Sequence, residues 1–270
     1  MFDWWEQRRR RRILERPFPD AWSSTLRRNM RHFSYLDAAE TARLCDFVQV
    51  FVAEKSWEGC GGLEMNDEIR VTIAGQACLL ILGFEREPYA NVESILVYPS
   101  TVKPRRVEDS IFAAPRIVPD TQYLLGEAHR RGPVILTWDA VRRGGTHPEL
   151  GHNVVYHEFA HKLDMLDGAV DGVPPLGGRP QYERWLAVCT KAYAELRQAF
   201  DQGIETFLDP YGLNDPAEFF AVVTEAFFDE PVRLRELHPE LYAVLSEFYR
   251  QETAERQLRA ERAGAARRSE

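Results

Sequence analysis

The chain has 270 residues, 44% hydrophobic and 28% charged, enough for one large domain or two small ones around a sizeable core. A net charge of −8 and a pI near 5.5 leave no broad basic footprint, so no direct nucleic-acid partner is expected. Cys45, Cys60, Cys78 and Cys189 are widely spaced and form no C-x-x-C pair, which argues against a cysteine zinc site or a dense disulfide framework and fits reduced thiols in the cytoplasm.

Residues 1–19 hold Trp4, Trp5 and a run of five arginines from Arg8 to Arg12. Ile13 and Leu14 meet Glu15, Arg16 and Pro17 at once, so the apolar stretch of a secretory signal is missing. No run of about 20 apolar residues offers a transmembrane segment. A basic, flexible terminus is expected. Residues 20–90 read as a helical region packed on the core. Trp22, Leu26, Met30 and Phe33 recur at helical spacing behind Asp20, a candidate N-cap. A second helix follows Asp37, with Leu44, Phe47, Val48, Phe51 and Val52 inward. The glycines from Trp57 to Gly62 predict a turn. Asp67–Leu82 becomes apolar all round, the signature of a buried helix, with Gly83 as its stop.

Residues 91–250 change character and are expected to form the catalytic region. Ser94–Tyr98 and Pro133–Trp138 are short apolar runs that predict strands, Arg116–Val118 is a third candidate, and 99–131 reads as loop-rich. Arg142–Gly145 and Pro148 predict a turn into the next helix. Residues 182–200 form an amphipathic helix, and Leu241–Tyr249 a short closing one. Residues 251–270 are polar and Ala/Arg/Glu-rich, a tail expected to form a fraying helix that ends in disorder. Strands followed by helices make this an α+β chain.

Chemistry concentrates between Val154 and Asp164, where His157, Glu158 and His161 spell His-Glu-x-x-His. On a helix the two imidazoles lie one turn apart on one face and can share a metal ion, while Glu158 can reach a metal-bound water. Asp164 lies two turns beyond His157 on the same face, a candidate for orienting a ligand. The extended H-E-x-x-H-x-x-G-x-x-H pattern needs Gly at 164 and His at 167, and both positions hold aspartate. His152 falls off the metal face, and His32, His129, His147 and His238 read as surface or loop residues.

A catalytic zinc site takes three protein ligands, so one is still needed. Residues 216–228 form an almost wholly apolar helix, with Asp215 as N-cap and Pro216 at its first position. A carboxylate buried there must be paired or bind metal. Glu218 and Glu225 share one face. Asp215 and Glu218 resemble a capping box, which explains Glu218 without a metal, and depth in the apolar run favours Glu225. Both remain open on these grounds.

His157 through Asp164, Tyr211 and the segment Pro216–Val222 resemble the Mlc titration factor A family, bacterial zinc metallopeptidases with a catalytic core similar to that of anthrax lethal factor. Ile73–Leu80 and Thr137–Asp139 extend the resemblance over most of the chain. It implies a zincin-like core with a small mixed sheet and one Zn²⁺ per chain. In this resemblance His157, His161 and Glu218 are the ligands, Glu158 is the general base and Tyr211 assists catalysis, which leaves Glu225 as a partner of the ligands rather than one of them. It further implies aminopeptidase-like hydrolysis of short peptides, with Val134–Trp138 as a candidate edge for an extended substrate. The family name implies an alternative, a binding protein that sequesters a transcriptional repressor with peptidase activity secondary.

Overall fold

A computed structural model describes residues 2–100 and 132–268; the candidate strand at 116–118, His129 and nearly all of the loop-rich 99–131 lie outside them. The first half supplies α1 (Phe2–Leu14), α2 (Asp20–Asn29), α3 (Ala38–Glu54), β1 (Ser56–Gly59), α4 (Asp67–Leu80) and β2 (Ser94–Tyr98). The second supplies β3 (Val134–Thr137), α5 (Trp138–Thr146), α6 (Val154–Asp164), α7 (Arg179–Asp201), α8 (Pro216–Asp229), α9 (Pro231–Leu237), α10 (Pro239–Tyr249) and α11 (Thr253–Arg268). The result is a helix-rich α+β chain, in which no described helix is long and apolar enough to cross a membrane.

Among the described residues the strands form one sheet in the order β1-β2-β3, parallel throughout rather than mixed. The chain leaves β1, crosses through α4 and returns in β2, the kind of connection that a parallel pair requires. Trp57–Gly62, expected as a turn, therefore begins with a strand, because Ser56–Gly59 finds Ser94–Val97 as its partner. Ile95, Val97, Val134 and Leu136 point from one face of the sheet into the core. Among the described strands β3 lies at one edge of this sheet.

The core centres on α4, buried from Val71 to Leu80 as its all-round apolarity predicts. The helix stops at Leu80, and Gln251 Nε2 donates to the carbonyls of Leu79 and Leu80, both at 3.0 Å, filling two acceptors left open at the helix end. Gly83 is therefore not the stop. A side chain there would meet the carbonyl oxygens of Tyr249 and Arg250, so glycine permits close approach of the chain after α10. The same reason overturns the turn expected at Arg142–Gly145. These residues lie in α5, where a Cβ on Gly144 would come within 3.0 Å of Asn153 Cα and one on Gly145 would strike the Asn29 carbonyl. Both glycines mark close packing rather than chain reversal.

The helix starts divide in the same way. Asp37 makes a complete capping box with Glu40, whereas Asp20 is already inside α2 and Pro19 is the cap. Helices form at both ends of the described chain. α1 is held on α3 by Arg10, whose guanidinium meets Glu54 at 2.8 Å and Glu87 at 3.0 Å. Gln49 Nε2 closes its C-terminal end by donating to the Ile13 and Arg16 carbonyls at 2.8 and 2.9 Å. α11 is tied down by Arg256 and Arg259 on Glu40 and by Glu255 on Arg235. Ion pairs to remote residues leave no periodic trace in a polar segment. His32, expected at the surface, is buried beside Tyr156 and Asp229, and burial pushes its pKa down to about 4, so the ring is neutral.

Candidate metal centre

α6 starts at Asn153, whose side-chain oxygen accepts the N–H groups of Val155 and Tyr156 at 3.1 and 3.2 Å. Val155, Tyr156, Phe159, Ala160 and Leu163 face inward. Phe159 packs against Tyr89 and Phe51, with ring centroids 4.9 and 5.7 Å apart. Burial of that face turns His157, Glu158 and His161 to the opposite side, where all three are half-buried. The Nε2 atoms of His157 and His161 stand 3.3 Å apart, as the spacing predicts.

α8 lies against α6 and brings both carboxylates. Asp215 caps it by accepting Glu218 N–H at 2.9 Å. Glu218 Oε2 lies 2.9 Å from His157 Nε2 and 3.6 Å from His161 Nε2. Glu225, two turns along, meets the other side of the same ring, its Oε1 2.8 Å from His157 Nδ1. Its Oε2 accepts Asn153 N–H at 2.6 Å, so one carboxylate fixes both the imidazole and the start of its helix. The deeper glutamate thus supports His157 from behind, and the shallower one faces both histidines.

These contacts decide what the site can hold. With Nδ1–H donated to Glu225, neutral His157 turns its Nε2 lone pair toward His161 and Glu218. Glu218 Oε2 is then buried without a hydrogen-bond partner. Three electron-pair donors, all within 4.8 Å of one another, converge where a cation can satisfy them together. Two imidazoles and one carboxylate with a further position open match catalytic zinc sites in donor type and number. Without metal a proton on Nε2 must substitute. Burial opposes that proton, but the hydrogen bonds to Glu218 and Glu225 outweigh it and raise the His157 pKa to about 10. Burial likewise opposes ionised Glu218, yet its hydrogen bonds to the His157 and His161 rings hold its pKa at about 2.

Tyr211 sits in the 3-10 turn Pro210–Leu213, its backbone N–H held by Asp209 at 2.9 Å, and its ring centroid is 5.9 Å from that of His157. Glu158 acts electrostatically on His157 and Lys162 from the same helix. Asp164 is buried and accepts Gly172 N–H at 3.1 Å. Gly172 also gives its carbonyl to Trp185 Nε1 at 3.1 Å, and its positive φ of 75° places it where a side chain would strike the Pro216 carbonyl. Asp164 therefore fixes a loop that buttresses the start of α8, with an electrostatic influence on His161. His152 is exposed, 3.6 Å from Asp209 and outside the three-donor group.

Asn153 and Gly172 were not singled out from the sequence. An asparagine directly before an apolar register is a helix-start signal that would have found Asn153. Among the loop glycines of 168–178, nothing in the residues themselves marks Gly172 as the one against α8.

The model of the glucose-regulated metallo-peptidase M90 family matches residues 4–250. The chain belongs to that family. It is 36% identical over 256 residues to the Synechocystis sp. protein slr2042, covering 91% of this chain and 89% of the relative. To Mlc titration factor A of Serratia proteamaculans it is 32% identical over 225 residues, covering 81% and 83% respectively. To the Salmonella arizonae protein of that name it is 30% identical, covering 82% and 87%. Membership in a metallopeptidase family implies a metal ion, and the His157–His161–Glu218 group is where the M90 chain can hold one. α1 falls largely inside the matched residues and α11 beyond them.

Proposed function

We propose that this M90 chain is a zinc-dependent peptidase with a zincin-like, glutamate-ligand core, in which His157, His161 and Glu218 hold one Zn²⁺. The observation that carries the reading is the orphaned Glu218 Oε2, facing two imidazole nitrogens within 3.6 Å. Zinc, when bound, supplies a water of lowered pKa and a Lewis acid for the scissile carbonyl. Glu158 takes the proton of the attacking water and delivers it to the leaving amine. The Tyr211 hydroxyl donates a hydrogen bond to the developing oxyanion. Glu225 holds His157 in the tautomer whose Nε2 carries a lone pair, and Asp164 keeps the start of α8, and with it Glu218, in place. The β3 edge receives an extended substrate, and cleavage is aminopeptidase-like on short peptides. The four free thiols agree with a cytoplasmic location.

The test is Glu158→Gln with metal content and peptide hydrolysis measured side by side. Zinc is retained and hydrolysis falls by roughly 10²-fold or more, the scale of a lost general base. Unchanged hydrolysis with zinc bound refutes the assignment. A second reading, sequestration of a transcriptional repressor, is supported by the words "titration factor" in the relatives' names. A Glu158→Gln protein that holds such a partner yet cleaves nothing separates the two.

A further inference from the structure

α1 and α3 enclose a groove of about 780 Å³ on the N-terminal side of the chain. Trp5, Arg8, Arg9, Arg12 and Arg16 lie along one of its walls. The i, i+3, i+4 and i+7 spacing of Trp5, Arg8, Arg9 and Arg12 makes them a single stripe along α1, and Arg16 follows in the bend past its end. The floor is apolar, from Val52 and Ala53 on α3, Ile13 on α1 and the ring of Trp22. Among the described residues no carboxylate lines the groove.

The arginines contrast with their neighbour. Arg10, on the other side of α1, is ion-paired with Glu54 and Glu87 and anchors the helix. Among the described residues Arg8, Arg9, Arg12 and Arg16 form no ion pair, although the chain carries an excess of acid and a net charge of −8. Arg8 lies over the Trp4 ring, 5.2 Å from its centroid, and Arg9 reaches only the Ala53 carbonyl, at 3.4 Å. Like charges one turn apart disfavour a helix, so an uncompensated set of four favours an anionic occupant from outside.

The spacing selects the occupant. Arg8 and Arg12, one turn apart on α1, stand about 6 Å apart along the helix axis, Arg16 follows in the bend past Leu14, and alternate residues of an extended peptide advance about 6.6 Å. Carboxylates at every second position therefore fall in register with the guanidiniums, while the residues between them turn to the apolar floor. We propose that this groove binds an extended acidic peptide segment that alternates carboxylate and apolar side chains. A flat anionic membrane would meet the rim arginines and the exposed Trp4 and Trp5 but would leave the floor unused.

The test uses the full chain and a short fluorescein-labelled peptide alternating glutamate and leucine, followed by fluorescence anisotropy. The peptide saturates the protein, and binding weakens as salt rises. A peptide with lysine in place of glutamate does not bind. The double substitution Arg8→Glu/Arg12→Glu weakens binding by roughly tenfold or more, the size expected from losing charge-assisted contacts. Should that variant fail to fold by circular dichroism, Arg8→Gln/Arg12→Gln decides, with a smaller loss in the same direction. An absence of binding, equal affinity in the folded charge variants, or equal binding of the lysine peptide overturns the proposal. So does co-sedimentation with phosphatidylserine vesicles, but not with phosphatidylcholine vesicles, by a protein that ignores the peptide.

Discussion

Glu225 is the residue at which the proposed metal site and the fold can be separated by substitution. Its carboxylate accepts from His157 Nδ1 on one oxygen and from the buried Asn153 N–H on the other. Glu225→Ala removes both acceptors. The imidazole is then free to rotate and to carry its proton on either nitrogen, and loss of such an outer partner lowers metal affinity by about 10–100-fold, or roughly 1.4–2.8 kcal/mol. Independently, the Asn153 N–H is left buried and unpaired, which costs about 1–3 kcal/mol of fold stability with or without metal. Glu225→Gln keeps one acceptor oxygen for two donors. If the amide oxygen stays with Asn153, its NH₂ faces Nδ1 and drives the imidazole proton to Nε2, where it blocks the metal; the fold is then nearly as stable and affinity alone is lost. Zinc affinity by competition with a chromogenic chelator, and urea unfolding of the metal-free protein, read the two effects apart. A Glu225→Ala protein that binds zinc within about threefold of the parent and unfolds at the same urea concentration would refute the reasoning.

The same contacts set the pH behaviour. In the metal-free protein His157 is raised from 6.5 to about 10, so its contribution is complete below pH 6.5 and is lost as pH climbs to 10. Glu218 is depressed from 4.5 to about 2, so its contribution is complete above pH 4.5 and is lost as pH falls toward 2. Thermal unfolding of the chelated protein should be most favourable to the fold between these limits, and calorimetric titration at pH 8 should show zinc uptake releasing a proton from His157; uptake without release contradicts the tautomer argument. Away from the metal face, Phe159→Ala empties a fully buried site against Tyr89 and Phe51 and should cost about 3–5 kcal/mol in urea unfolding, with a loss under about 1 kcal/mol excluding its place in the core.

The residues alone determined a good deal of this protein. Local rules suffice where the interaction is local. The i, i+4 spacing placed the two imidazoles one turn apart, Asp37 and Asp215 announced the starts of α3 and α8, and the apolar run through Val71–Leu80 announced a buried helix. What the tertiary structure decided is what each buried face meets. Glu218 and Glu225 occupy the same face of one helix, and only the approach of α6 makes one of them face both histidines and the other support His157. Gly83, Gly144 and Gly145 read as chain breakers until a neighbouring backbone is seen against each of them. The ion pairs that α1 and α11 make are not legible in the residues, because Glu54, Glu87 and Glu40 are distant from them in sequence. Periodicity reports that a surface is covered; the partner is chosen by contacts between remote segments, which spacing within one element does not encode.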